Sequence, residues 1–308
     1  MGEKNKLNQS YPPLVLFTYN RPEHAKRTLD SLANNPEAKN SLLIVYSDGP
    51  REGASEQDLQ GIAEVRRLMK LQKGYADIKI IEREVNWGLR KNVTSGVRDV
   101  LDEYGSIVVL EDDLIFSTGF LAFMHRALKE YADNEKVLHV SAYVPPLDLP
   151  VGYQEVSFSQ LPHSLGWGTW KRAWQYYEDD VNLLIKGFNS TDKKRFDFDR
   201  SMNFYRMLNN AAKGVIDSWA VRWYASVYLR GGLCLISTKS MVRTIGDDGS
   251  GTHFNIKLSS KVVDEIEFEK PLEKLDEQVY KAYRKYYWWN KIKHIPSYVL
   301  YRMKKIFS

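Results

Sequence analysis

The sequence contains a single cysteine, Cys234, among its 308 residues. One cysteine excludes an internal disulfide and a cysteine-based metal site, and it fits a reducing compartment best. No apolar run reaches the roughly 18 residues that a membrane-spanning helix needs. The first ten residues, MGEKNKLNQS, have no apolar core of the kind that marks a signal peptide. We therefore expect a cytoplasmic protein.

Glycine-rich phosphate loops are also missing. The sequence has neither a P-loop nor the glycine fingerprint of dinucleotide-binding proteins, which weakens an ATPase or a dehydrogenase interpretation. It shows no repeats and no segment of low complexity. With 43% hydrophobic residues, the chain can bury one large core or two modest ones. The composition is that of a globular enzyme.

Acidic residues are absent after Glu277, although the whole chain has a formal net charge of +5. That stretch carries eight lysines and arginines, so the rest of the chain is net negative. Aromatic and apolar residues accompany these cations, which fits an interfacial segment on an anionic membrane. A C-terminal helix packed on the enzyme body is the alternative. Nucleic-acid binding is not expected, because the positive charge is confined to this tail and no recognition motif accompanies it.

Strand and helix patterns alternate along the first part of the chain. Strands are predicted in PLVLFT, SLLIVYSDG, DIKIIEREVN and SIVVLEDD, and each of the first three is followed by a helical pattern. Such alternation predicts a largely parallel sheet that is covered on both faces, an α/β fold. The carboxyl ends of these strands would meet at one edge, which is where ligands of open α/β sheets usually bind.

The fourth predicted strand ends in three consecutive carboxylates, Glu111, Asp112 and Asp113. Like charges this close repel one another unless a positive group lies between them. A solvated turn or a helix cap is one interpretation, and a divalent-metal site is the other. Arg21 and Arg90 are expected at the same edge, so it would suit a nucleoside diphosphate bound with a hard cation.

Several segments of the chain resemble the GT-A glycosyltransferases. They are FTYNRP, SDGP, NWGLRKNVTSGV and VVLEDDL in the first half, and VLHVSAY, LPHSLGWGTWKRAW, DSWAVRWY and GGLCLISTKSMVRTIGDDGSGTHF in the second. Their order and spacing are similar to those of the N-acetylglucosaminyltransferase I family and of bacterial sugar transferases of surface-polysaccharide pathways. The resemblance covers roughly residues 13 to 255 and implies a Rossmann-like, three-layer α/β/α fold with a mostly parallel mixed sheet.

The resemblance implies roles for the donor half. Asp113 would contact the divalent metal, usually Mn²⁺, with Mg²⁺ as the alternative. Asp112 and Glu111 would face the ribose and the donor sugar, and Asp48 would lie near the uracil of a UDP-sugar. Thr18 and Arg21 would line the nucleotide site. Arg90 could take part of the charge that develops on the leaving diphosphate, or it could be a surface residue.

An inverting transfer also needs a carboxylate base within hydrogen-bond reach of the acceptor hydroxyl. Asp217 in GVIDSWAVRWY is the first candidate, and its alternative role is that of a helix cap together with Ser218. The related enzyme has two acids before this tryptophan, where this chain has one. Asp247 and Asp248 are therefore kept as reserve candidates for the base.

Two residues of the second half, His253 and Trp167, are candidate ligand-binding residues because of the segments in which they lie. The glycine-rich segment from Ile245 to Asn255 suits a loop that closes over the donor, and His253 within it could bind the metal or a phosphate. Trp167 lies in a Gly-Trp-Gly turn and could stack on an acceptor sugar. Its spacing from Trp170 and Trp174 is helical and also fits a packed core face.

These expectations amount to a GT-A catalytic domain over residues 1–275 and a basic, aromatic extension over 276–308. The nucleotide-sugar half would cover about 11–115 and the acceptor half about 116–275. The acceptor would be a glycan or a lipid-linked sugar at the cytoplasmic face of the inner membrane. Two alternatives remain, a sugar nucleotidyltransferase and a catalytically silent carbohydrate-binding or scaffold protein of the same fold.

Overall fold

The structure, a computed structural model, describes residues 11–246 and 261–293. Its strands are β1 (Leu14–Thr18), β2 (Leu42–Ser47), β3 (Asp77–Glu82), β4 (Ser106–Glu111), β5 (Leu114–Phe116), β6 (Val137–Ser141), β7 (Val156–Ser159), β8 (Trp167–Trp170), β9 (Leu233–Ser237) and β10 (Val242–Thr244). Its helices are α1 (Pro22–Ala33), α2 (Glu56–Leu71), α3 (Gly88–Tyr104), α4 (Phe120–Glu130), α5 (Lys171–Trp174), α6 (Val181–Lys186), α7 (Ser190–Phe196), α8 (Phe204–Ala212), α9 (Trp219–Leu229) and α10 (Glu277–Lys293), with a short 3₁₀ turn at Ala38–Asn40.

Eight of the strands form one central sheet in the order β3-β2-β1-β4-β8-β6-β9-β7. The first four are parallel neighbours, and antiparallel pairing begins where β4 meets β8. Every residue of β1 and β2 is buried, as expected for strands covered on both faces. The three-layer α/β/α arrangement with a mostly parallel mixed sheet is thereby confirmed.

Local sequence explains the helices that follow the parallel strands. Pro22 starts α1, where its fixed φ suits the first turn and its missing N–H is not needed. Ser55 caps α2 by accepting a hydrogen bond from the Asp58 N–H, and Gly105 ends α3 in the left-handed conformation that glycine adopts at low cost. These boundaries bring the loops after β1, β2 and β4 to one edge of the sheet.

Two apolar clusters hold the layers together. The larger one surrounds the central sheet and includes side chains from Leu14 through Val242, so it joins both halves of the chain. The smaller one is formed mainly by helices α6 to α9 and the first turns of α10, and it also includes Val144, Leu161 and Ile236. A separate two-stranded sheet, in which β10 pairs antiparallel with β5, brings the late segment after Met241 beside the end of β4.

Candidate active site

The acidic triplet lies at the carboxyl end of β4. Glu111 is the last residue of the strand, and Asp112 and Asp113 form the turn that leads into β5. Because β4 is the parallel neighbour of β1, the triplet faces the loop between β1 and α1. Asp112 is only 4% exposed, and its carboxylate accepts a hydrogen bond of 3.2 Å from the Tyr19 backbone N–H.

Arg21 connects two of the three carboxylates. Its Nη2 lies 2.5 Å from Asp112 Oδ1 and 3.0 Å from Asp113 Oδ2. Burial alone would lower the pKa of Arg21, but the two carboxylates outweigh it and raise that pKa. Burial, together with the charges of Asp113 and Asp112, raises the pKa of Glu111 to about 8, although Arg21 acts in the opposite direction. Among the described residues, Arg21 pairs with two of the three carboxylates, and these ion pairs leave the cluster with more negative than positive charge.

Two polar atoms at this edge are buried without a hydrogen-bond partner among the described residues. They are Oγ1 of Thr18, the last residue of β1, and Nη1 of Arg21. Leaving a buried donor or acceptor unpaired is costly, and such groups in native proteins usually meet a ligand or water. The end of β1 therefore offers a hydroxyl and a guanidinium N–H to a polar ligand, beside the acidic triplet.

Asp48, at the end of β2, has its carboxylate occupied by the backbone. It accepts hydrogen bonds from the N–H groups of Gly49 (2.9 Å), Trp87 (2.8 Å) and Gly88 (3.1 Å). The last two belong to the start of α3, where free N–H groups and the helix dipole favour a negative charge. Asp48 therefore fixes the loop between β3 and α3, and its expected place near the nucleobase stays a prediction.

Arg90 and Asp217, which are 127 residues apart, form an ion pair through Arg90 Nε. Arg90 Nη1 also donates to both carboxylate oxygens of Asp179, at 2.8 and 2.7 Å. The Asp217 side chain is 63% exposed, so it is accessible from solvent. Ser218, rather than Asp217, caps α9, because its hydroxyl accepts a hydrogen bond from the Val221 N–H. The structure thus brings two predicted site residues together at the start of α3.

Asp179 and Arg222 take part in this ion-pair cluster and were missed in the sequence. Arg222 is 6% exposed, and it donates to the carbonyl oxygens of Asp179 (3.1 Å) and Ser218 (2.7 Å). It therefore fixes the backbone beside both Asp179 and Asp217. In the sequence, Asp179 stands within three consecutive acids that resemble a helix start, and Asp180 is indeed the cap of α6. No local signal separated Asp179 from its neighbours.

Trp167 belongs to the core. Its side chain is 0% exposed, and its ring stacks on His139 and Trp219 at centroid distances of 5.2 Å in both cases. Trp167 and Trp170 lie on β8, so the helical spacing predicted the wrong element for them. An acceptor platform at Trp167 does not fit this burial, whereas the alternative of a packed core face does.

The segment after β10 reaches the triplet from the other side. The Ile245 N–H donates to the Asp113 carbonyl oxygen at 2.8 Å, and His24 Nε2 lies 3.2 Å from the Ile245 carbonyl oxygen. Asp247, Asp248 and His253 lie outside the described residues. The described part of the segment therefore ends directly beside Asp113.

A divalent cation fits the chemistry of the triplet. Within residues 11–246 and 261–293, no three His, Cys, Asp or Glu side chains converge as a complete protein cage for a metal ion would require. The triplet itself, with one arginine for three carboxylates, supplies the hard oxygen atoms and the excess negative charge that Mn²⁺ or Mg²⁺ favours.

The first turns of α10 pack on the body of the protein. Val279, Tyr280 and Tyr283 are buried in the smaller apolar cluster, and the Tyr283 hydroxyl lies 3.0 Å from His163 Nε2. Trp288 and Trp289 are about half exposed, at 51% and 50%. Residues 294–308 of the tail lie outside the described residues. In the described part of the chain, no helix has the length and apolar character needed to cross a membrane.

Comparisons with known proteins place these features in a family. Residues 14–196 match the family described as Glycosyl transferase family 2. No curated protein matches the chain significantly. Among solved structures, the mannosyltransferase PcManGT from Pyrobaculum calidifontis, in complex with GDP-Man and Mn²⁺, shares 14% sequence identity with a TM-score of 0.42, covering 72% of this chain and 71% of that chain.

Two structures of S. aureus TarS are also similar. TarS 1-349 shares 14% identity with a TM-score of 0.42, covering 77% of this chain and 61% of that chain. The other TarS structure shares 12% identity with a TM-score of 0.39, covering 77% of this chain and 37% of that chain. The similarity thus spans less than two thirds of either TarS chain. The family match includes β1 to β4 with the acidic triplet, and it covers more than half of the length of this chain. The chain therefore belongs to glycosyl transferase family 2 and is a glycosyltransferase of the GT-A fold.

Proposed function

We propose that the chain transfers a hexosyl or N-acetylhexosaminyl group from a UDP-sugar to a glycan or lipid-linked oligosaccharide, with inversion, in surface-polysaccharide synthesis. The observation that carries this proposal is the edge between β1 and β4. There, the unpartnered Thr18 Oγ1 and Arg21 Nη1 lie beside three carboxylates that share one arginine. That combination can bind the hydroxyls of a nucleotide, its phosphates and a cation.

Each donor residue has a role that its position supports. Thr18 and Arg21 offer their unpartnered polar atoms to the nucleotide. Asp112 and Glu111 accept hydrogen bonds from the ribose and the donor sugar. Asp48 orients the loop before α3 and lies near the base.

Asp113 would hold Mn²⁺, or Mg²⁺ in its place, and His253 is the candidate for a second ligand. When bound, the cation supplies positive charge that stabilises the leaving diphosphate. Arg90, in the first turn of α3, is the candidate to take part of the same charge, and its ion pairs with Asp179 and Asp217 fix its position. Asp113 has its Oδ2 already directed toward Arg21 at 3.0 Å, so the carboxylate faces the donor edge.

Asp217 is the proposed catalytic base. The acceptor oxygen would bond to the anomeric carbon on the face opposite the nucleotide, the bond from that carbon to the phosphate oxygen would break, and the hydroxyl proton would pass to Asp217. Its 63% exposed side chain can meet an acceptor, and Arg90 holds it in one direction. Asp247 and Asp248 remain the reserve candidates.

The donor test is nucleotide release from a panel of UDP-, GDP- and dTDP-sugars, with Mn²⁺ or with a chelator. We expect slow, metal-dependent release from one UDP-sugar, reduced about a hundredfold or more in Asp113→Asn. Asp30→Asn is the matched control, because Asp30 is an exposed acid on α1 that pairs with Lys26. Release that is insensitive to the chelator and to Asp113→Asn would overturn the metal-dependent mechanism.

Binding measurements separate the remaining alternatives. If no nucleotide-sugar of the panel is hydrolysed, calorimetry with each nucleotide and Mn²⁺ tests whether the acceptor is required for turnover. In that case one nucleotide still binds. Pyrophosphate release from a sugar 1-phosphate and a nucleoside triphosphate would identify a nucleotidyltransferase instead. Sugar binding without nucleotide binding would identify a silent carbohydrate-binding protein.

The lipid-linked form of the acceptor rests on α10 and the tail. Trp288 and Trp289 are exposed among lysines, which suits contact with anionic headgroups at the cytoplasmic face of the inner membrane. We expect the protein to sediment with phosphatidylglycerol-containing vesicles at low salt, and the double variant Trp288→Ser, Trp289→Ser to do so less. Val151→Ser is the control, since Val151 is exposed elsewhere. Equal sedimentation of all three proteins would contradict a membrane role for this surface.

A further inference from the structure

The chain after β10 crosses directly over the carboxylate of Asp113. Ile245 donates its N–H to the Asp113 carbonyl oxygen at 2.8 Å, and Thr244 Oγ1 lies 3.4 Å from the same oxygen. The Gly246 N–H then donates to Thr244 Oγ1 at 3.0 Å, which sets the direction of the backbone at Gly246. β10 pairs with β5, and this pairing holds Thr244, Ile245 and Gly246 against Asp113.

A side chain at Gly246 would collide with Asp113. A Cβ built on Gly246 would lie 2.2 Å from Asp113 Oδ2, 3.0 Å from its Cγ and 3.3 Å from its Cβ, and these are the three nearest atoms. Gly246 is not among the glycines with positive φ, so its backbone conformation is open to other residues. Glycine at this position therefore leaves room for the Asp113 carboxylate, which a larger residue would displace.

Rotation of the Asp113 side chain would remove this collision. The nearest atoms belong to the end of a side chain, so the Asp113 carboxylate can rotate away and leave the backbone in place. Rotation would break its ion pair with Arg21, in which Oδ2 accepts from Nη2 at 3.0 Å. Gly246 and Arg21 thus hold Asp113 Oδ2 from two sides.

We propose that Gly246 is a positioning residue that fixes the Asp113 carboxylate toward Arg21 and thereby sets the affinity of the donor site for a divalent cation. The second half of this inference rests on the proposed function, in which Asp113 holds the cation. The first half, the placement of the carboxylate, rests on the contacts alone.

The test compares the wild type with Gly246→Ala, Asp113→Ala and the double variant. Calorimetry measures the affinity for Mn²⁺ alone and for Mn²⁺ with UDP. We expect Gly246→Ala to weaken Mn²⁺ binding about tenfold or more, and to add no loss in the Asp113→Ala background, because residues in contact are not additive. Wild-type Mn²⁺ affinity in Gly246→Ala, or a loss that persists without Asp113, would overturn the proposal.

Thermal unfolding of the same four proteins supplies a readout that needs no metal. We expect Gly246→Ala to lower the unfolding midpoint in the wild type and to leave it unchanged in Asp113→Ala. If the wild type binds no Mn²⁺ while this coupling is present, the proposed function fails and the placement of Asp113 stands. If the coupling is absent, the placement is wrong. Gly61→Ala is the control, because its Cβ would lie 2.5 Å from the Asn20 carbonyl oxygen and should destabilise independently of Asp113.

Discussion

At the scale of single residues, Thr18 carries a buried hydroxyl at the end of β1. It is 4% exposed, and its Oγ1 has no hydrogen-bond partner among the described residues. An unpaired buried hydroxyl costs stability, and an apolar group of the same shape removes that cost. The stability of the folded protein therefore does not explain a threonine at this position, whereas a hydrogen bond from Oγ1 to a ligand would explain it.

The first prediction separates binding from folding at Thr18. Thr18→Val should leave the free energy of unfolding unchanged or slightly increased, and should weaken UDP binding about tenfold through the loss of one hydrogen bond. Denaturant unfolding and calorimetry measure the two quantities. Tyr131→Phe is the control, because it also removes a buried, unpartnered hydroxyl but lies at the end of α4. Unchanged UDP affinity in Thr18→Val would count against Thr18 as a nucleotide ligand.

His125 is a buried titratable residue on α4 that is not part of the candidate active site. Both ring nitrogens lack a partner among the described residues, and the ring stacks on Tyr11 at a centroid distance of 4.2 Å. Burial lowers the pKa of His125 to about 4, below its ordinary value of 6.5. Between these two values the unfolded chain takes up a proton that the folded chain does not, so stability falls as the pH falls.

The second prediction follows from that sign. His125→Phe should reduce the acid sensitivity, with a gain of roughly 2 kcal/mol near pH 4.5 relative to the change at pH 8. Urea unfolding at both pH values measures it. His139 and His163, whose pKa burial lowers to about 3, should keep part of the acid sensitivity in the variant. An identical pH dependence in the variant and the wild type would contradict the assignment to His125.

At the scale of elements, Asp48 ties β2 to the start of α3. Its carboxylate accepts two hydrogen bonds from the N–H groups of Trp87 and Gly88 and one from Gly49. Removing the carboxylate would take away the acceptor of all three hydrogen bonds. The position of α3, and with it that of Arg90, depends on this one side chain.

The third prediction concerns this helix start. Asp48→Ala should lower the free energy of unfolding by about 2 to 4 kcal/mol, since hydrogen bonds to charged groups contribute more than neutral ones. Asp48→Asn, which keeps one acceptor oxygen, should cost less. The exposed cap Asp180→Ala should cost about 1 kcal/mol. Denaturant unfolding ranks the three variants, and an Asp48→Ala cost no larger than that of Asp180→Ala would refute this role.

The elements were predictable from sequence where patterns are local. The apolar runs of β1, β2 and β4 and the helices between them follow from periodicity, and the acidic triplet was placed correctly at the end of β4. The tryptophans of β8 were assigned a helical spacing because Trp167, Trp170 and Trp174 fit that period, although the first two lie on a strand. Pairing between β8 and β4 is antiparallel and distant in sequence, so no local pattern indicates it.

The site was predictable only in part, for the same reason. Thr18, Arg21 and the triplet were expected at one edge because parallel strands end together. The contact between Asp179 and Arg90 joins residues that are 89 positions apart, so it depends on how the chain folds and not on a local pattern. The importance of Gly246 depends on a distance to Asp113 that no spacing in the sequence encodes.

At the scale of the whole molecule, the central sheet joins both halves of the chain. β4 pairs with β8, and β6 pairs with both β8 and β9. The larger apolar cluster extends from Leu14 to Val242 and includes side chains from strands before and after Asp113. The two halves are therefore parts of one cooperative structure.

The fourth prediction is a single unfolding transition. Tryptophan fluorescence and far-ultraviolet circular dichroism should give coincident urea curves, because most of the tryptophans lie in the shared core and the helices cover the same sheet. The fragment 1–196, which retains the family match but lacks β9, should not fold. Two separate transitions, or a folded fragment, would show that the halves are independent.

The place of β9 has a consequence for how the chain is made. β9 lies between β6 and β7 in the sheet, although it follows both along the chain. During synthesis, therefore, β6 and β7 leave the ribosome before the strand that pairs with each of them, and their edges stay open until residue 237 has emerged. Unpaired edges of this kind attract other chains. The nascent protein therefore exposes the edges of β6 and β7 to other chains until β9 has been made.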